Sequence, residues 1–282
     1  MNASPQPAGF LGAGPAAGAR SALFGAPLDA TVSFRPGSRF GPGAIRAASP
    51  VLEQWSPALG VGLDERPFCD LGDLEFAPGE VEPALAAIAA TVERICALGQ
   101  RPLMLGGEHL VTLPAVAALA RRHPGLRVLQ FDAHADLRAD YLGRAASHAT
   151  VLRRISELVG PERCFQVGIR SATAEEWAFA RGRTHLAPGA GAALPAGWRA
   201  ELEAGPVYVT LDIDCADPAH APGTGTPEPG GPTARELLEA VDGLAGLRIV
   251  GADLVEVAPA YDAGGITAVL AAKLVRELLL LP

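Results

Sequence analysis

Hydrophobic residues fall into two kinds of segment that alternate along the chain from residue 21 to its end. Short apolar runs at 21–27, 68–71, 102–105, 127–131, 164–169, 207–214 and 248–257 have the length of buried strands. The segments at 42–46, 81–98, 110–121, 147–159, 233–244 and 265–280 read as helices. In the stretch 81–98, Leu85, Ile88, Ala89, Val92 and Ile95 repeat at helical spacing until Gly99 stops the run. Pro42 suits the first turn of a helix. Alternating strands and helices build βαβ units, and strands apolar on both faces need helices on both sides. The pattern predicts an α/β fold: three layers, α/β/α, around a mainly parallel sheet of about eight strands. No repeat or composition shift divides it, so one domain is expected over 21–282. Residues 1–20, rich in Ala, Gly and Pro without periodicity, predict an extended or mobile N-terminal arm. The Gly/Ala/Pro-rich stretch 187–196 predicts a surface loop.

With 282 residues the chain can bury a full core, and 49% apolar against 19% charged residues excludes a disordered or fibrous protein. A net charge of −8 argues against nucleic acid and suits a cationic partner. Cys69, Cys96, Cys164 and Cys215 are widely spaced, which fits buried thiols in a reducing, cytoplasmic setting better than a disulfide or zinc-ribbon framework. Neither a basic–apolar leader nor an apolar run of membrane-spanning length stands out, so neither export nor membrane insertion is expected.

Chemistry concentrates where strands end. The 127–131 run leads into Asp132-Ala133-His134-Ala135-Asp136, three ligand-type side chains at alternate positions. On an extended backbone all three project to one side. The 102–105 strand breaks at Gly106-Gly107-Glu108-His109, and the 207–214 strand closes on Asp212-Ile213-Asp214. In a parallel sheet with right-handed crossovers these ends share one edge, where α/β folds place their sites. Four clustered carboxylates without a counter-ion would repel one another and raise each other's pKa. Two divalent cations cancel the four charges, and oxygen-rich ligation with some imidazole suits Mn(II), with zinc less favoured. Elsewhere, Arg35, Arg39 and Arg46 in the loop-to-helix segment 33–46 could bind an anion or pair with carboxylates.

These motifs, together with Asp217-Pro218 and the loop Ala221-Pro222-Gly223-Thr224-Gly225-Thr226-Pro227, resemble the ureohydrolases, the arginase and agmatinase family. The resemblance runs from about residue 21 to the end and is closest to agmatinase, through Ser147-His148-Ala149-Thr150. It implies an arginase-like fold and two Mn(II) ions per chain. His109, Asp132, Asp136 and Asp212 would bind one; Asp132, His134, Asp212 and Asp214 would bind the other. It also implies hydrolysis of a guanidinium group to urea and an amine by a metal-bridged hydroxide. Agmatine to putrescine, a step of polyamine biosynthesis, leads; N1-aminopropylagmatine, guanidinobutyrate or an arginase-type substrate are the alternatives. Asp136 would take the nucleophile's proton, and His148, titrating near neutrality, would shuttle one to the leaving amine. Glu256 matches the guanidinium-binding carboxylate, whose two oxygens suit a planar guanidinium. Thr226 either lines the pocket or orders its loop, and Cys215 reads as a small buried filler. A homotrimer or homohexamer is implied as well. Ala149 and Val151 depart from the Ser-His-Gly-Thr-Pro run of many agmatinases, which predicts a differently shaped pocket wall. A binuclear metallophosphoesterase is the rival enzyme, but Gly72-Asp73-Leu74-Glu75-Phe76 lacks its motif and no histidine follows His220. A non-catalytic family member is the other rival, although no ligand position is lost.

Overall fold

The computed structural model describes residues 9–282 except Pro78 and Pro188. Its centre is one eight-stranded sheet. The strands are β1 (Ser21–Ala26), β2 (Phe68–Asp73), β3 (Arg101–Gly106), β4 (Arg127–Phe131), β5 (Cys164–Val167), β6 (His185–Leu186), β7 (Val207–Asp212) and β8 (Ile249–Val255). Their spatial order is β2-β1-β3-β8-β7-β4-β5-β6, and every neighbouring pair is parallel. The sheet is thus wholly parallel. Two-residue strands Trp55–Ser56 and Val61–Gly62 form a separate hairpin.

Eight α-helices accompany it: α1 (Gly41–Ala48), α2 (Val81–Ala97), α3 (Thr112–Arg122), α4 (Val151–Val159), α5 (Ala174–Arg183), α6 (Trp198–Glu203), α7 (Ala234–Asp242) and α8 (Ile266–Leu280). One hydrophobic core lies under α2, α3 and α4, around Ile88, Val92, Leu119 and Ile155. A second lies under α1, α7 and α8, around Ile45, Leu237, Val241 and Leu274. Burial on both faces explains why β1 and β7 are apolar without alternation.

Three expectations change. The arm expected at residues 1–20 is packed from residue 9: Phe10 is 2% exposed and meets Phe68 edge-to-face at 6.1 Å. Its N–H donates to Asp70 Oδ2 at 2.8 Å, and Gly14 bridges Cys69 beside β2. Residues 1–8 lie outside the described residues. One buried aromatic anchors a segment whose composition looked structureless. The 187–196 stretch is not purely surface, since Ala187 and Ala192 are buried in a core. Finally, α5, β6 and α6 were not anticipated. For α5 a signal existed in Thr173-Ala174-Glu175-Glu176, where Thr173 and Glu176 form a reciprocal capping box.

Strand register sets the level of the site. Leu211 pairs with Phe131 on β4, so Asp212 and Asp132 sit side by side just beyond. Asp212 in turn pairs with Val255 on β8. The Glu256 N–H donates to Gly107 O at 2.8 Å, continuing the match onto β3. Four adjacent strands, β3-β8-β7-β4, therefore end at one height. Gly107 is required there: any Cβ would stand 1.9 Å from Leu28 O.

Candidate metal centre

His109 opens a single 3-10 turn after β3, and its Nδ1 faces three carboxylates: Asp132 at 3.1 Å, Asp136 at 3.2 Å and Asp212 at 3.4 Å. His134 Nδ1 lies 2.9 Å from Asp214 and 3.7 Å from Asp132. Two donor groups result, His109/Asp132/Asp212 and Asp132/His134/Asp214, with Asp132 common to both. Asp136 reaches the first group through its contact with His109. All six residues named from the strand ends are thus brought together. Five are buried and His134 is half-buried.

The remaining lone pairs are held by neighbours. Asp132 accepts from Gln130 Nε2 at 2.7 Å and from the His134 N–H at 2.6 Å. Asp212 accepts from the Asp214 N–H at 2.8 Å, and Asp214 from the Ala133 N–H at 3.1 Å. Thr226, on the pocket wall, donates to Asp214 at 3.3 Å. Glu256 lies on the same wall, and its carboxylate accepts the His109 N–H at 2.7 Å. Asp136 and Glu256 have φ of 53° and 64°, left-handed conformations that non-glycine residues seldom adopt.

A buried relay was not anticipated. His109 Nε2 stands 2.9 Å from Thr210 Oγ1, which donates to Asp253 Oδ1 at 2.6 Å. Asp253 also accepts from Tyr208 Oη at 2.6 Å and Thr112 Oγ1 at 2.8 Å. With Thr210 donating onward, its oxygen receives the Nε2 proton, leaving Nδ1 as a lone pair. Nδ1 is nevertheless buried without a hydrogen-bond partner. Once its proton is displaced, that lone pair converges with carboxylate oxygens and suits a cation.

Electrostatics agree. Burial, then Asp132, raises Asp136 to about 7. Burial, then Asp214 and Asp132, raises Asp212 well above the usual carboxylate range. Glu256 is raised likewise, by burial and then by Glu108. Asp132 is lowered despite burial because both imidazoles face it. Against burial, Asp214 and Asp132 raise His134 to about 12, and three carboxylates raise His109. Metal-free, the centre thus retains protons on its imidazoles. Two divalent cations would displace them and satisfy all four aspartates. The residues present fit a metal pair.

Above the centre is a cavity of about 320 Å³, lined by Ser33, Arg138, Tyr141, His148, Thr173 and Glu176 besides the donors. His148 sits edge-on to Tyr141, with Nε2 3.2 Å from Ser33 Oγ and Nδ1 3.4 Å from Thr31 Oγ1. The expectation that His148 titrates near neutrality is corrected. Burial, with positive charge on His109, His134 and Arg138, pushes it down to about 4, so it rests neutral. Thr31 is itself held by Glu108, buried behind the site. Cys215 is fully buried, as a filler should be.

A wholly parallel α/β/α sheet with two donor groups at its carboxyl edge defines a binuclear metallohydrolase of the arginase type, and the Arginase family model matches residues 19–281. The chain belongs to that family of binuclear metalloenzymes and is a ureohydrolase. An agmatinase of Bacillus anthracis is 45% identical over 266 residues, covering 92% of this chain and 90% of that protein. A guanidinobutyrase of Pseudomonas aeruginosa is 38% identical, covering 92% of this chain and 85% of that protein. The agmatine ureohydrolase structure from Thermoplasma volcanium superposes with a TM-score of 0.85 at 34% identity, covering 96% and 92% of the two chains. Membership removes the phosphoesterase alternative. Among the described residues no helix is long and apolar enough to cross a membrane.

Proposed function

We propose that this ureohydrolase converts agmatine to putrescine and urea with two Mn(II) ions. His109, Asp132, Asp136 and Asp212 would hold one ion, and Asp132, His134, Asp212 and Asp214 the other. The observation that carries the reading is the convergence of six donors at one sheet level beneath a cavity walled by Glu256. When bound, the metal pair supplies a water activated for attack at neutral pH. Glu256 accepts the guanidinium N–H groups, with one oxygen already fixed by the His109 N–H, and so orients the carbon to be attacked. Asp136 accepts the proton released during attack. His148 enters neutral and moves a proton toward the leaving amine only after receiving one, with Ser33 and Thr31 holding its ring. Thr226 keeps Asp214 turned toward its ion.

Similarity to agmatinases supports a substrate ending in an ammonium group. A second reading has its own support. Arg138 lines the cavity, and a guanidinium there suits a guanidino acid such as guanidinobutyrate. Glu176 lies 3.7 Å from Arg138 and partly offsets its charge. A panel of guanidino compounds scored for urea by the Mn(II)-loaded enzyme decides. Agmatine is expected to lead, with arginine inert; a preference for guanidinobutyrate would transfer the assignment, and urea from no guanidine would reject catalysis. Free Cys69, Cys96, Cys164 and Cys215 support a cytoplasmic enzyme, and family resemblance supports a homotrimer or homohexamer.

A further inference from the structure

At the opposite edge of the sheet, where strands begin, is a second cavity of about 470 Å³. Arg20, Arg66, Arg101, Arg122, His123 and Arg248 line it. They come from the residues just before β1, β2 and β8, from the first residue of β3 and from the end of α3, beside the last residues of α8. Five guanidinium groups share one hollow in a chain whose net charge is −8.

Among the described residues none of the five pairs with Asp or Glu, and residues 1–8, Pro78 and Pro188 include neither type. Part of the cluster has a structural explanation. Arg101 donates to Leu278 O and Leu279 O at the end of α8 and to a carboxyl oxygen of Pro282, the last residue, and Arg122 donates to Cys96 O near the end of α2. Among the described residues the side chains of Arg20, Arg66 and Arg248 find no hydrogen-bond partner, and Arg66 Nε is buried. Burial, then Arg20 and Arg66, lowers Arg101 to about 10. Burial, then Arg248 and Arg122, also lowers His123.

We propose that this cavity is a binding site for a small polyanion, carrying two or more phosphoryl or carboxylate charges, that bridges Arg20, Arg66 and Arg101 to Arg122 and Arg248. A single negative charge leaves most of the cluster unmatched. Planar guanidinium groups bind phosphate and carboxylate oxygens in pairs, so several arginines select for several anionic groups.

The test is calorimetric titration of holoenzyme, freed of excess metal, with inorganic pyrophosphate in one arm and citrate in the other. Saturable binding at one anion per chain, weakening as salt is added, is expected in at least one arm. The tighter arm tells phosphoryl from carboxylate chemistry. Arg66→Met and Arg248→Met should each weaken binding about tenfold while leaving guanidine hydrolysis unchanged. Arg248 is exposed, so its variant serves if Arg66→Met fails to fold. Asp132→Ala should bind the anion as well as the parent protein, which separates this site from chelation at the metal centre. The proposal is overturned by absence of saturable binding in both arms, by unchanged affinity in Arg248→Met, or by loss of binding in Asp132→Ala. It is also overturned if Arg248→Met dissociates the oligomer, since carboxylates of a second copy would then fill the cavity.

Discussion

The two edges of the sheet carry opposite, unbalanced charge. At the carboxyl edge four aspartates meet two imidazoles; at the amino edge five arginines meet no Asp or Glu among the described residues. The edges differ in how firmly the charge is held. Asp132, Asp212 and Asp214 are fixed by backbone N–H groups, Gln130 and Thr226, as befits donors whose geometry must suit small ions. The arginines are long side chains, three of them without a hydrogen-bond partner among the described residues. A rigid edge selects by coordination geometry. A loose one selects by charge number. The Arg46 group, between them, is what balance looks like: buried Arg46 donates to Asp70 at 2.8 Å and 2.9 Å and also pairs with Asp73.

The hardest blow to this contrast is Asp132→Ala. The shared carboxylate should carry both ions with it, so metal analysis is expected to fall from two per chain to none and urea release to background. Two retained ions would refute the ligand assignment. Next is Thr210→Val, which removes the acceptor for His109 Nε2 without touching the donors. Metal affinity should fall about 10–100-fold, read by titration of the metal-free protein, and Thr210→Ser should restore most of it. An unchanged affinity would show that the Asp253 relay only fills the core. Smallest is a pH effect at the balanced group. Although burial acts the other way, Arg46 lowers the Asp70 pKa, so its contribution to stability is present above its ordinary value of 3.8. That contribution is lost as pH falls through the lowered value. Asp70→Asn should therefore be less stable than the parent near neutrality and show a flatter decline in acid, followed by thermal unfolding.

The carboxyl edge was largely legible because its donors are contiguous: Asp132, His134 and Asp136 announce themselves within five positions, and each motif follows an apolar run. Glu256 and His148 needed family resemblance, since a single carboxylate or imidazole has no spacing to read. The relay behind His109 was invisible for another reason. Thr210 and Asp253 become neighbours only through the β7–β8 register, and an isolated threonine in an apolar strand looks like filler. The amino edge was invisible for the same reason at longer range, because its arginines are scattered from residue 20 to residue 248 and meet only in three dimensions. Composition misled at residues 9–20, where buried Phe10 and Ala19 and the Gly14 bridge to Cys69 tie a Gly/Ala/Pro segment to the fold.

Asp136 and Glu256 hold left-handed backbone conformations that cost about 1–3 kcal/mol each and that glycine would adopt freely. Asp136→Gly and Glu256→Gly would each relax that backbone, but the first removes a metal donor and the second leaves the buried His109 N–H without its acceptor, so a melting screen reads only the difference between relief and loss. Heat-resistant versions of this enzyme should be sought elsewhere in the chain, with turnover measured beside melting temperature at every round.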